Sequence, residues 1–406
     1  MSQFHQLRAL VAALIPHNRF YTKRLREADL NERTLESLED FSAQLGFTYK
    51  HELVADQIEN PPYGSNLTFE LKRYSRFCQT TGTTGQPLVC LDTAESWDWL
   101  LGNWGHVYRS ADIMPGDRIF FAFSFGPFLG FWTAFEAAAK LGFLCIPGGG
   151  LSSTGRLELL IQHQANVLLC TPTYALHLAE SAQNAGIDLS RAAVRKIIVA
   201  GEPGGSIPDV RQRISKAWNG ARVIDHYGMT EVGPVTFEDP NHPGHQRVIE
   251  SSYYAEIIDP KDGSLMPPNQ VGELVLTTLG RLGAPLLRYR TGDLVKRNAA
   301  LPGFVLEGGI LGRVDDMIVV RGVNLYPSAM DAVVRSVPTI VEYRVEVSRR
   351  GSMCELQLEI ESDDTNAIPA LHRALDRAFA LRIPVRQVPS GSLPRFELKA
   401  RRWIKK

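Results

Sequence analysis

The sequence lacks the features of several protein classes. Its five cysteines, at positions 78, 90, 145, 170 and 354, form no Cys-x-x-Cys pair. Neither a disulfide framework nor a zinc finger is expected, and the cysteines are predicted to be reduced thiols of a cytoplasmic protein. Neither sign of charge is in excess, because 44 Lys and Arg residues balance 44 Asp and Glu residues. This balance gives no indication of a nucleic-acid partner.

A membrane-spanning segment is also not expected. The apolar stretch near the N-terminus, residues 4–14, is too short to cross a bilayer, and no cleavage-site pattern follows it. Its apolar residues recur at helical spacing, which predicts a helix packed on the surface of the protein. These residues are Phe4, Leu7, Leu10, Val11 and Leu14.

Strand-like and helix-like stretches alternate over residues 117–225. This alternation predicts an α/β fold in which parallel sheets are covered by helices. The strand-like stretches are residues 117–125, 142–147, 165–170, 194–200 and 221–225. Ligands of such folds bind at the loops that follow the carboxyl ends of the strands.

The pattern changes twice towards the C-terminus. From about residue 253, strand-like runs are joined by turns, which predicts a β-rich part. After residue 312, a mixture of strands and two helices predicts a small α+β unit. We therefore predict a large domain of residues 1–312 and a small domain of residues 313–406, and 406 residues allow two or three domains.

A run of threonine and glycine separates two strand-like pieces in the stretch RFCQTTGTTGQPLVCLD, residues 76–92. The run consists of Thr80, Thr81, Gly82, Thr83, Thr84 and Gly85. Glycines let the backbone approach a ligand, successive amides bind anions, and hydroxyls add donors, so the run suits a polyphosphate. It is not a Walker motif, because Gln86 and Pro87 follow it. By itself, the run also fits an ordinary hairpin turn.

Five further motifs follow along the chain. They are GEPGGS (201–206), DHYGMTEVGP (225–234), RYRTGDL (288–294), GRVDDMIVVRGVNLYP (312–327) and LPRFELKARR (393–402). In this order and spacing, the motifs resemble the adenylate-forming superfamily of acyl- and aryl-CoA ligases, luciferases and peptide-synthetase adenylation domains. The resemblance is greatest to the phenylacetate-CoA ligase branch, whose chains are shorter, and it extends over the whole sequence.

The resemblance implies an ATP site to which most of the motifs contribute. The threonine/glycine run would form a mobile loop over the ATP phosphates. Tyr227 would lie against the adenine, Asp293 would bind the ribose hydroxyls, and residues 201–203 would line the adenine and acyl pockets. The implied ATP-binding residues outside the run are Gly201, Glu202, Pro203, His226, Tyr227, Gly228, Met229, Thr230, Asp293 and Arg313.

The resemblance also implies the catalytic residues. Thr230 would contact the α-phosphate, Glu231 would hold Mg²⁺, and Lys399 would bridge the carboxylate and the α-phosphate in the transition state. Asp315 would be the hinge of a mobile small domain that carries Lys399. Attack of a carboxylate on a phosphate brings two anions together, so positioning and charge neutralisation are what these residue types supply.

Simpler interpretations exist for the same residues. Glu231 could be an ordinary charge at a helix N-terminus, Asp293 could close a turn, and Lys399 lies in a basic run that is typical of a solvated face. Only the match to the motifs favours the catalytic roles. Two positions depart from the family pattern, because Gln86 stands where lysine is common and Leu398 stands where glycine is common.

An aromatic segment is predicted to form the acid pocket. Residues 120–132 read FFAFSFGPFLGFW. Strand alternation would put Phe121, Phe123 and Phe125 on one face, and such a face would suit a flat ring. A glycine-rich turn that includes Gly149 would be the second wall. The simpler alternative is a core strand that leads into a buried helix.

We therefore predict an ATP-dependent carboxylate–CoA ligase that uses ATP, Mg²⁺ and CoA and takes an aryl or arylalkyl acid. The acid would form an acyl-adenylate with release of pyrophosphate, and then a thioester with CoA. Two alternatives stay open, namely transfer to a carrier-protein thiol and a nucleotide-binding protein that no longer turns over. No nucleic-acid or membrane partner is expected, and a homodimer is left open.

Replacing Lys399 by alanine should separate the two half-reactions. We expect acyl-adenylate formation to fall about a hundredfold or more, because a charge directed at a transition state contributes roughly 3–4 kcal/mol. Thioester formation from supplied acyl-adenylate should survive. Pyrophosphate exchange measures the first step, and exchange at the wild-type rate would assign Lys399 to an ordinary basic tail.

Overall fold

The computed structural model describes residues 1–81, 86–316, 318–320, 323–350, 353–396 and 400–405. The chain begins with helices α1 (Gln3–Leu14), α2 (Arg19–Glu27), α3 (Leu38–Gln44) and α4 (Lys50–Glu59). Helix α1 is the predicted N-terminal helix, and its side chains Leu7, Leu10, Val11 and Leu14 are buried against α2 and α3. Among the helices of the described residues, none is long and apolar enough to cross a membrane.

A hairpin of two antiparallel strands flanks the threonine/glycine run in the sequence. Its strands are β1 (Tyr74–Gln79) and β2 (Val89–Thr93). In their register, Cys78 lies opposite Cys90 and Gln79 lies opposite Val89. The sequence predicted both strand-like pieces.

The centre of the N-terminal part is a five-stranded parallel sheet with the strand order β4-β3-β5-β6-β7. Its strands are β3 (Arg118–Phe121), β4 (Leu144–Pro147), β5 (Val167–Cys170), β6 (Lys196–Val199) and β7 (Arg222–Asp225). The helices that cover it are α5 (Ala94–Ser110), α6 (Leu129–Lys140), α7 (Ser153–Gln162), α8 (Pro172–Asn184) and α9 (Pro208–Ala217). This arrangement confirms the predicted parallel α/β fold.

Side chains of the central sheet alternate between two hydrophobic cores. Phe121 and Phe123 belong to the core under α5 and α6, whereas Phe120 and Ala122 belong to the core under α7, α8 and α9. Strand β3 ends at Phe121, so the predicted strand over residues 117–125 was too long. The predicted faces are nevertheless correct, because the alternation continues beyond the last paired residue.

Antiparallel strands form the part that follows the central sheet. A short hairpin comes first, and its strands are β8 (Gly228–Met229) and β9 (Gly233–Pro234). The later strands are β10 (Thr236–Glu238), β11 (Gln246–Val248), β12 (Tyr253–Ile258), β13 (Val271–Thr278), β14 (Tyr289–Lys296), β15 (Val305–Leu306) and β16 (Gly312–Arg313). Strands β12, β13, β14 and β16 form one sheet in that order, and β10, β11 and β15 form another.

The C-terminal part has a hydrophobic core of its own, made of residues from Ile318 onwards. Its elements are β17 (Ile318–Val320), β18 (Val323–Leu325), α10 (Pro327–Arg335), β19 (Glu342–Arg350), β20 (Met353–Glu361), α11 (Ala367–Phe379), β21 (Val385–Val388) and β22 (Trp403–Lys405). Four of the strands form a sheet in the order β21-β20-β19-β22. The sequence predicted both helices but not β22, which pairs in parallel with β19 and returns the end of the chain to this sheet.

A buried ion pair joins the β1–β2 hairpin to the antiparallel part. Arg281 Nε and Nη2 donate to the two carboxylate oxygens of Asp92 at 2.7 and 2.6 Å, and both side chains are at most 1% exposed. Burial lowers the pKa of Arg281, but the Asp92 carboxylate, together with Cys90 and Tyr253, raises it by more, so the guanidinium stays charged. Arg281 Nη1 also donates to the carbonyl of Glu231 on the turn between β8 and β9. One side chain thus fixes three segments.

Replacing Asp92 by asparagine should destabilise the protein strongly. The change leaves the Arg281 guanidinium buried without its carboxylate, and breaking a buried pair in this way costs about 3–5 kcal/mol. Urea unfolding measures the loss of free energy. The matched control is Glu95→Gln, because Glu95 pairs with Arg73 at 2.8 Å on the exposed surface and such pairs contribute little. Equal losses in the two variants would contradict the expected role of Asp92.

Candidate active site

The loops that follow three neighbouring parallel strands meet at one edge of the central sheet. Thr171 follows β5, Gly201 follows β6 and His226 follows β7. Gly201 has a φ of +92°, a conformation that L residues with side chains rarely adopt, so the turn out of β6 requires glycine. The motifs therefore converge at the carboxyl edge of the sheet, where ligands of this fold class bind.

The base of the threonine/glycine run is closed by Thr80. Its amide donates to the carbonyl of Leu88, and its hydroxyl accepts from the amide of Leu88, both at 3.0 Å. Thr81 and Gln86 are exposed. The predicted phosphate-binding residues Gly82, Thr83, Thr84 and Gly85 lie outside the described residues, so their role stays a prediction.

The predicted ribose ligand lies in a network with the predicted adenine contact. The Tyr227 hydroxyl donates to Asp293 Oδ2 at 2.6 Å, and Arg313 Nη1 donates to Asp293 Oδ1 at 3.1 Å. Strand pairing places Asp293 on β14 opposite Arg313 on β16. Burial raises the pKa of Tyr227, and the Asp293 carboxylate raises it further, so the phenol stays protonated. The structure thus brings three of the predicted nucleotide-binding residues together.

The YGMTE segment forms a tight hairpin. A Cβ atom on Gly228 would lie 2.8 Å from the carbonyl oxygen of Gly233 on the facing strand, so the close approach of the two strands requires glycine. Met229 completes β8, and its sulfur lies 3.3 Å from the hydroxyl oxygen of Tyr227. Thr230 follows at the turn and is half-buried.

Glu231, the predicted Mg²⁺ ligand, lies on the same turn. Its Oε1 is 3.0 Å from Lys50 Nζ and 3.4 Å from the Tyr289 hydroxyl. The Glu231 side chain is 5% exposed and that of Lys50 is 40% exposed, so the carboxylate is fixed while the ammonium can turn towards solvent. A carboxylate oxygen of this kind fits a Mg²⁺ ion. The described residues contain no cluster of three or more His, Cys, Asp or Glu side chains suited to a metal, so phosphate and water would supply the other ligands.

Lys50 was not among the residues predicted from the sequence. The Thr48 amide donates to the carbonyl of Arg288, which directly precedes β14, at 3.0 Å. The Thr48 carbonyl accepts from the amide of Arg290, which lies in β14, also at 3.0 Å. These bonds hold the start of α4 against that strand, which places Lys50 beside Glu231. The sequence signal was one lysine in the stretch FTYKHEL (47–53), and a single lysine at the start of a helix is common.

Aromatic side chains form a continuous cluster near this edge. The ring of Phe123 lies 5.8 Å from that of Phe121 and 5.6 Å from that of Phe125, and it stacks on Phe131 at 4.4 Å. Phe121 is fully buried, which makes it part of the core, whereas Phe125 is partly exposed. A Cβ atom on Gly149 would lie 3.3 Å from the Phe125 ring. The two predicted walls of the acid pocket are therefore in contact.

His226 is predicted to bind ATP, and in the structure its ring contacts an aromatic side chain beside the Phe121–Phe123–Phe125 cluster. Its centroid is 4.5 Å from that of Trp104, which shares a core with Phe121 and Phe123. Burial lowers the pKa of His226 to about 4, against a smaller contribution from the Tyr227 backbone, so the ring is neutral at pH 7. Neither ring nitrogen makes a hydrogen bond of normal geometry within the described residues. The ring therefore offers a polar contact to a group bound near the cluster.

The GEP segment, predicted to line the adenine and acyl pockets, contacts two backbone amides through Glu202. Glu202 Oε1 accepts from the Thr173 amide at 2.8 Å, and Oε2 accepts from the Ala400 amide at 3.0 Å. Gly201 and Pro203 are exposed. The Glu202 carboxylate is thus engaged by helix α8 and by the C-terminal segment.

The predicted hinge lies between the two parts of the chain. Asp315 is exposed, directly follows Val314 after β16, and accepts from Arg313 Nε at 2.8 Å. Its role as a hinge stays a prediction. Lys399 lies outside the described residues, so its catalytic role also stays a prediction.

Known protein families match both parts of the chain. The family described as AMP-binding enzyme matches residues 74–280, and the family described as AMP-binding enzyme C-terminal domain matches residues 322–406. The chain is also similar to phenylacetate-coenzyme A ligase of Pseudomonas putida, with 31% identity over 84% of this chain and 76% of that protein. The chain belongs to the AMP-binding enzyme family. The phenylacetate-coenzyme A ligase of Thermus thermophilus is 30% identical over 88% of this chain and 80% of its own.

Solved structures of a related ligase cover the whole fold. The chain superposes with a TM-score of 0.93 on 2-hydroxyisobutyryl-CoA ligase in its postadenylation state with the acyl-AMP, at 27% identity over 100% of this chain and 89% of that one. The same enzyme in its thioesterification state, with the acyl-AMP and CoA, gives a TM-score of 0.74 at 28% identity, over 99% and 88% of the two chains. These comparisons confirm the predicted family and enzyme class, an AMP-forming acid–CoA ligase.

Replacing Lys50 by methionine should slow adenylation. The change removes a cation 3.0 Å from Glu231 at the point where the phosphates and the metal would lie. We expect pyrophosphate exchange to fall about tenfold to a hundredfold, as when one stabilising group is lost from a transition state. The matched control is Lys23→Met, because Lys23 is 79% exposed on α2. An unchanged exchange rate in Lys50→Met would mean that Lys50 pairs with Glu231 but does not act in adenylation.

Proposed function

We propose that this protein is an ATP-dependent ligase that joins aryl or arylalkyl acids to CoA. The observation that carries the proposal is the meeting of three features near one sheet edge. The Tyr227–Asp293–Arg313 network suits adenosine, the Glu231 carboxylate suits Mg²⁺ with phosphates, and the aromatic cluster suits a flat acid. The four phenylacetate-coenzyme A ligases at 30–31% identity support the same type of acid.

The first half-reaction joins the acid to AMP. A carboxylate oxygen attacks the α-phosphorus, the bond to pyrophosphate breaks, and an acyl-adenylate forms. Because both reactants are anions, the protein's part is to place cations and donors around them. We assign this part to Lys50, to Lys399 and to the hydroxyl of Thr230. Mg²⁺ bound at Glu231 supplies further neutralisation of phosphate charge.

The nucleoside is oriented by carboxylate and phenol groups that are already in place. Tyr227 and Arg313 hold the two oxygens of Asp293, and a carboxylate oxygen can accept more than one hydrogen bond, which suits the hydroxyls of a ribose. Arg313 is itself held by Asp315. The ribose site is therefore preorganised before the substrate arrives, which reduces the entropy lost on binding.

The acid is selected by a pocket that is mostly aromatic. Phe123 and Phe125 present ring edges and faces at the distances of favourable aromatic pairs, about 4.5–7 Å, and Gly149 keeps the opposite wall close to them. Neutral His226 adds one polar group without a charge. A pocket with these properties favours a flat acid over a flexible alkyl chain, and the imidazole of His226 can contact a polar ring substituent.

The second half-reaction transfers the acyl group to the thiol of CoA. The thiol sulfur attacks the acyl carbon, and the bond to AMP breaks. Lys399 serves the first step, so the segment that carries it must leave before the thiol can approach. We place the hinge at Asp315, because it separates the last strand of the antiparallel sheet, β16, from the first strand of the C-terminal part, β17.

Assays of pyrophosphate exchange and acyl-CoA formation also test two other functions. A carrier-protein thiol could replace CoA as the acyl acceptor, and a protein without turnover could bind the nucleotide alone. Gln86 and Leu398 are the departures that raise the second possibility. The geometry around Glu231 and Asp293 favours a working site, because both carboxylates are held in place by neighbouring cations.

A panel of acids should identify the substrate class. We expect aryl and arylalkyl acids to give a higher kcat/KM than acetate or octanoate, because of the aromatic cluster. Related rings should overlap as substrates, since an apolar pocket discriminates by only about 1–3 kcal/mol per methylene. The measurement is pyrophosphate exchange with benzoate, phenylacetate, hydroxybenzoate, acetate and octanoate.

The outcomes of the panel are distinct. A clearly higher kcat/KM for octanoate or acetate than for every ring acid would contradict the aromatic pocket. Exchange without acyl-CoA on addition of CoA would favour a carrier protein. No exchange with any acid would favour the nucleotide-binding alternative.

A further inference from the structure

The segment that contains Lys399 is anchored to helix α8 upstream of the lysine. Arg395 Nε and Nη2 donate to the two carboxylate oxygens of Glu180, both at 2.7 Å. The same guanidinium donates to Glu361 on β20 at 2.7 Å. Arg395 therefore joins the C-terminal sheet to a helix of the N-terminal part, and it does so four residues before Lys399.

A second anchor lies downstream of the lysine. Glu202, in the loop after β6, accepts from the amide of Thr173 at 2.8 Å and from the amide of Ala400 at 3.0 Å. Ala400 is the residue directly after Lys399. We call this arrangement of one carboxylate and two amides the Glu202 clasp.

We propose that Glu202 is a positioning residue for Lys399 in the adenylation half-reaction. Through the clasp it holds the backbone next to Lys399 against the start of α8, and it releases that backbone when the small domain turns. The inference rests on the proposed function, because it needs an acyl-adenylate-forming step in which Lys399 acts.

The clasp has the chemistry that accurate positioning requires. Hydrogen bonds from amides to a carboxylate are charge-assisted and stronger than neutral ones. Thr173 lies in the first turn of the 13-residue helix α8, where the helix dipole stabilises a negative charge. Glu202 is thereby fixed on the N-terminal side, and its second oxygen is left for Ala400. A catalytic group misplaced by about 1 Å can lose a hundredfold in rate, so such support affects the rate directly.

The clasp also distinguishes the two domain orientations. Glu202 belongs to the loop at the central sheet, whereas Ala400 belongs to the C-terminal part, so a rotation of one part against the other would break their hydrogen bond. That arrangement agrees with the postadenylation state of 2-hydroxyisobutyryl-CoA ligase better than with its thioesterification state. Removal of the clasp should therefore affect the first half-reaction and spare the second.

The test uses Glu202→Gln, which keeps the size of the side chain and removes its charge. We expect the kcat of pyrophosphate exchange to fall about tenfold to a hundredfold, while the KM values for ATP and acid change less than threefold. Acyl-CoA formation from supplied acyl-adenylate should stay at the wild-type rate or rise. The matched control is Glu158→Gln, since Glu158 is exposed on the neighbouring helix α7, and it should change neither rate.

A double-mutant cycle separates positioning from direct contact with the substrate. In the Lys399→Ala background, Glu202→Gln should cause little further loss, because two residues that act as a unit are not additive. Hydrogen exchange provides a readout that does not depend on turnover. The amides of Thr173 and Ala400 should exchange faster in Glu202→Gln than in the wild type or in Glu158→Gln.

Several results would overturn the inference. Two concern the rates of Glu202→Gln: an equal loss of both half-reactions in the folded variant, or a raised KM for the acid with unchanged kcat. A third is an undiminished effect of Glu202→Gln on the adenylation rate in the Lys399→Ala background. The fourth is unchanged hydrogen exchange of the Ala400 amide. A raised KM would indicate that Glu202 contacts the acid in the acyl pocket. Failure of the proposed function is distinguishable, because the wild type would then show no pyrophosphate exchange with any acid, while the amide exchange would still report the clasp.

Discussion

The buried pair of Asp92 and Arg281 holds the backbone on which the candidate site is built. Arg281 is bound to the carboxylate on β2, and it also donates to the carbonyl of Glu231. The hairpin that leads to the threonine/glycine run and the turn that carries Glu231, the proposed metal ligand, are therefore fixed to one guanidinium. A buried charge that is paired on one side and bound to a carbonyl on the other resists displacement, because either loss would leave an unsatisfied group in the core.

This rigid frame contrasts with the groups that must change partners during a reaction. Lys50 is partly exposed and pairs with a carboxylate that would bind a metal. The Glu202 clasp and the Arg395–Glu180 pair cross from the N-terminal part to the C-terminal part. The proposed site thus combines a fixed half, on the central sheet and the antiparallel strands, with a half that the C-terminal part would supply. A ligase that runs two half-reactions in one site needs this division, because the two steps require different neighbours.

The parts that the sequence could predict are those that local pattern determines. The spacing of apolar residues identified α1 and its buried face, and alternation identified the two faces of β3. Turn glycines, such as Gly201 and Gly228, are needed where the backbone leaves a strand or approaches another one. The motifs around Tyr227 and Asp293 predicted residues that the structure brings within hydrogen-bond distance.

The parts that the sequence could not predict depend on long-range pairing. Lys50 reaches Glu231 because Thr48 pairs with residues about 240 positions later, and nothing in the stretch around Lys50 records that pairing. The contact of Glu202 with Ala400 spans 198 positions and depends on the orientation of two parts of the chain. The packing of the His226 ring on Trp104 joins residues 122 positions apart, so the motif around His226 could not predict it.

The most direct test of the central claim, attack of a carboxylate on the α-phosphate of ATP, is an oxygen-transfer experiment. A ring acid labelled with ¹⁸O in its carboxylate is incubated with the protein, ATP, Mg²⁺ and CoA. The ¹⁸O content of each product is then measured by mass spectrometry. We expect one ¹⁸O atom per turnover in AMP and none in pyrophosphate, because the bridging oxygen of the acyl-adenylate comes from the acid and leaves with AMP. Formation of ADP with ¹⁸O in inorganic phosphate would mean that the acid attacks the γ-phosphate, and it would contradict an adenylate intermediate.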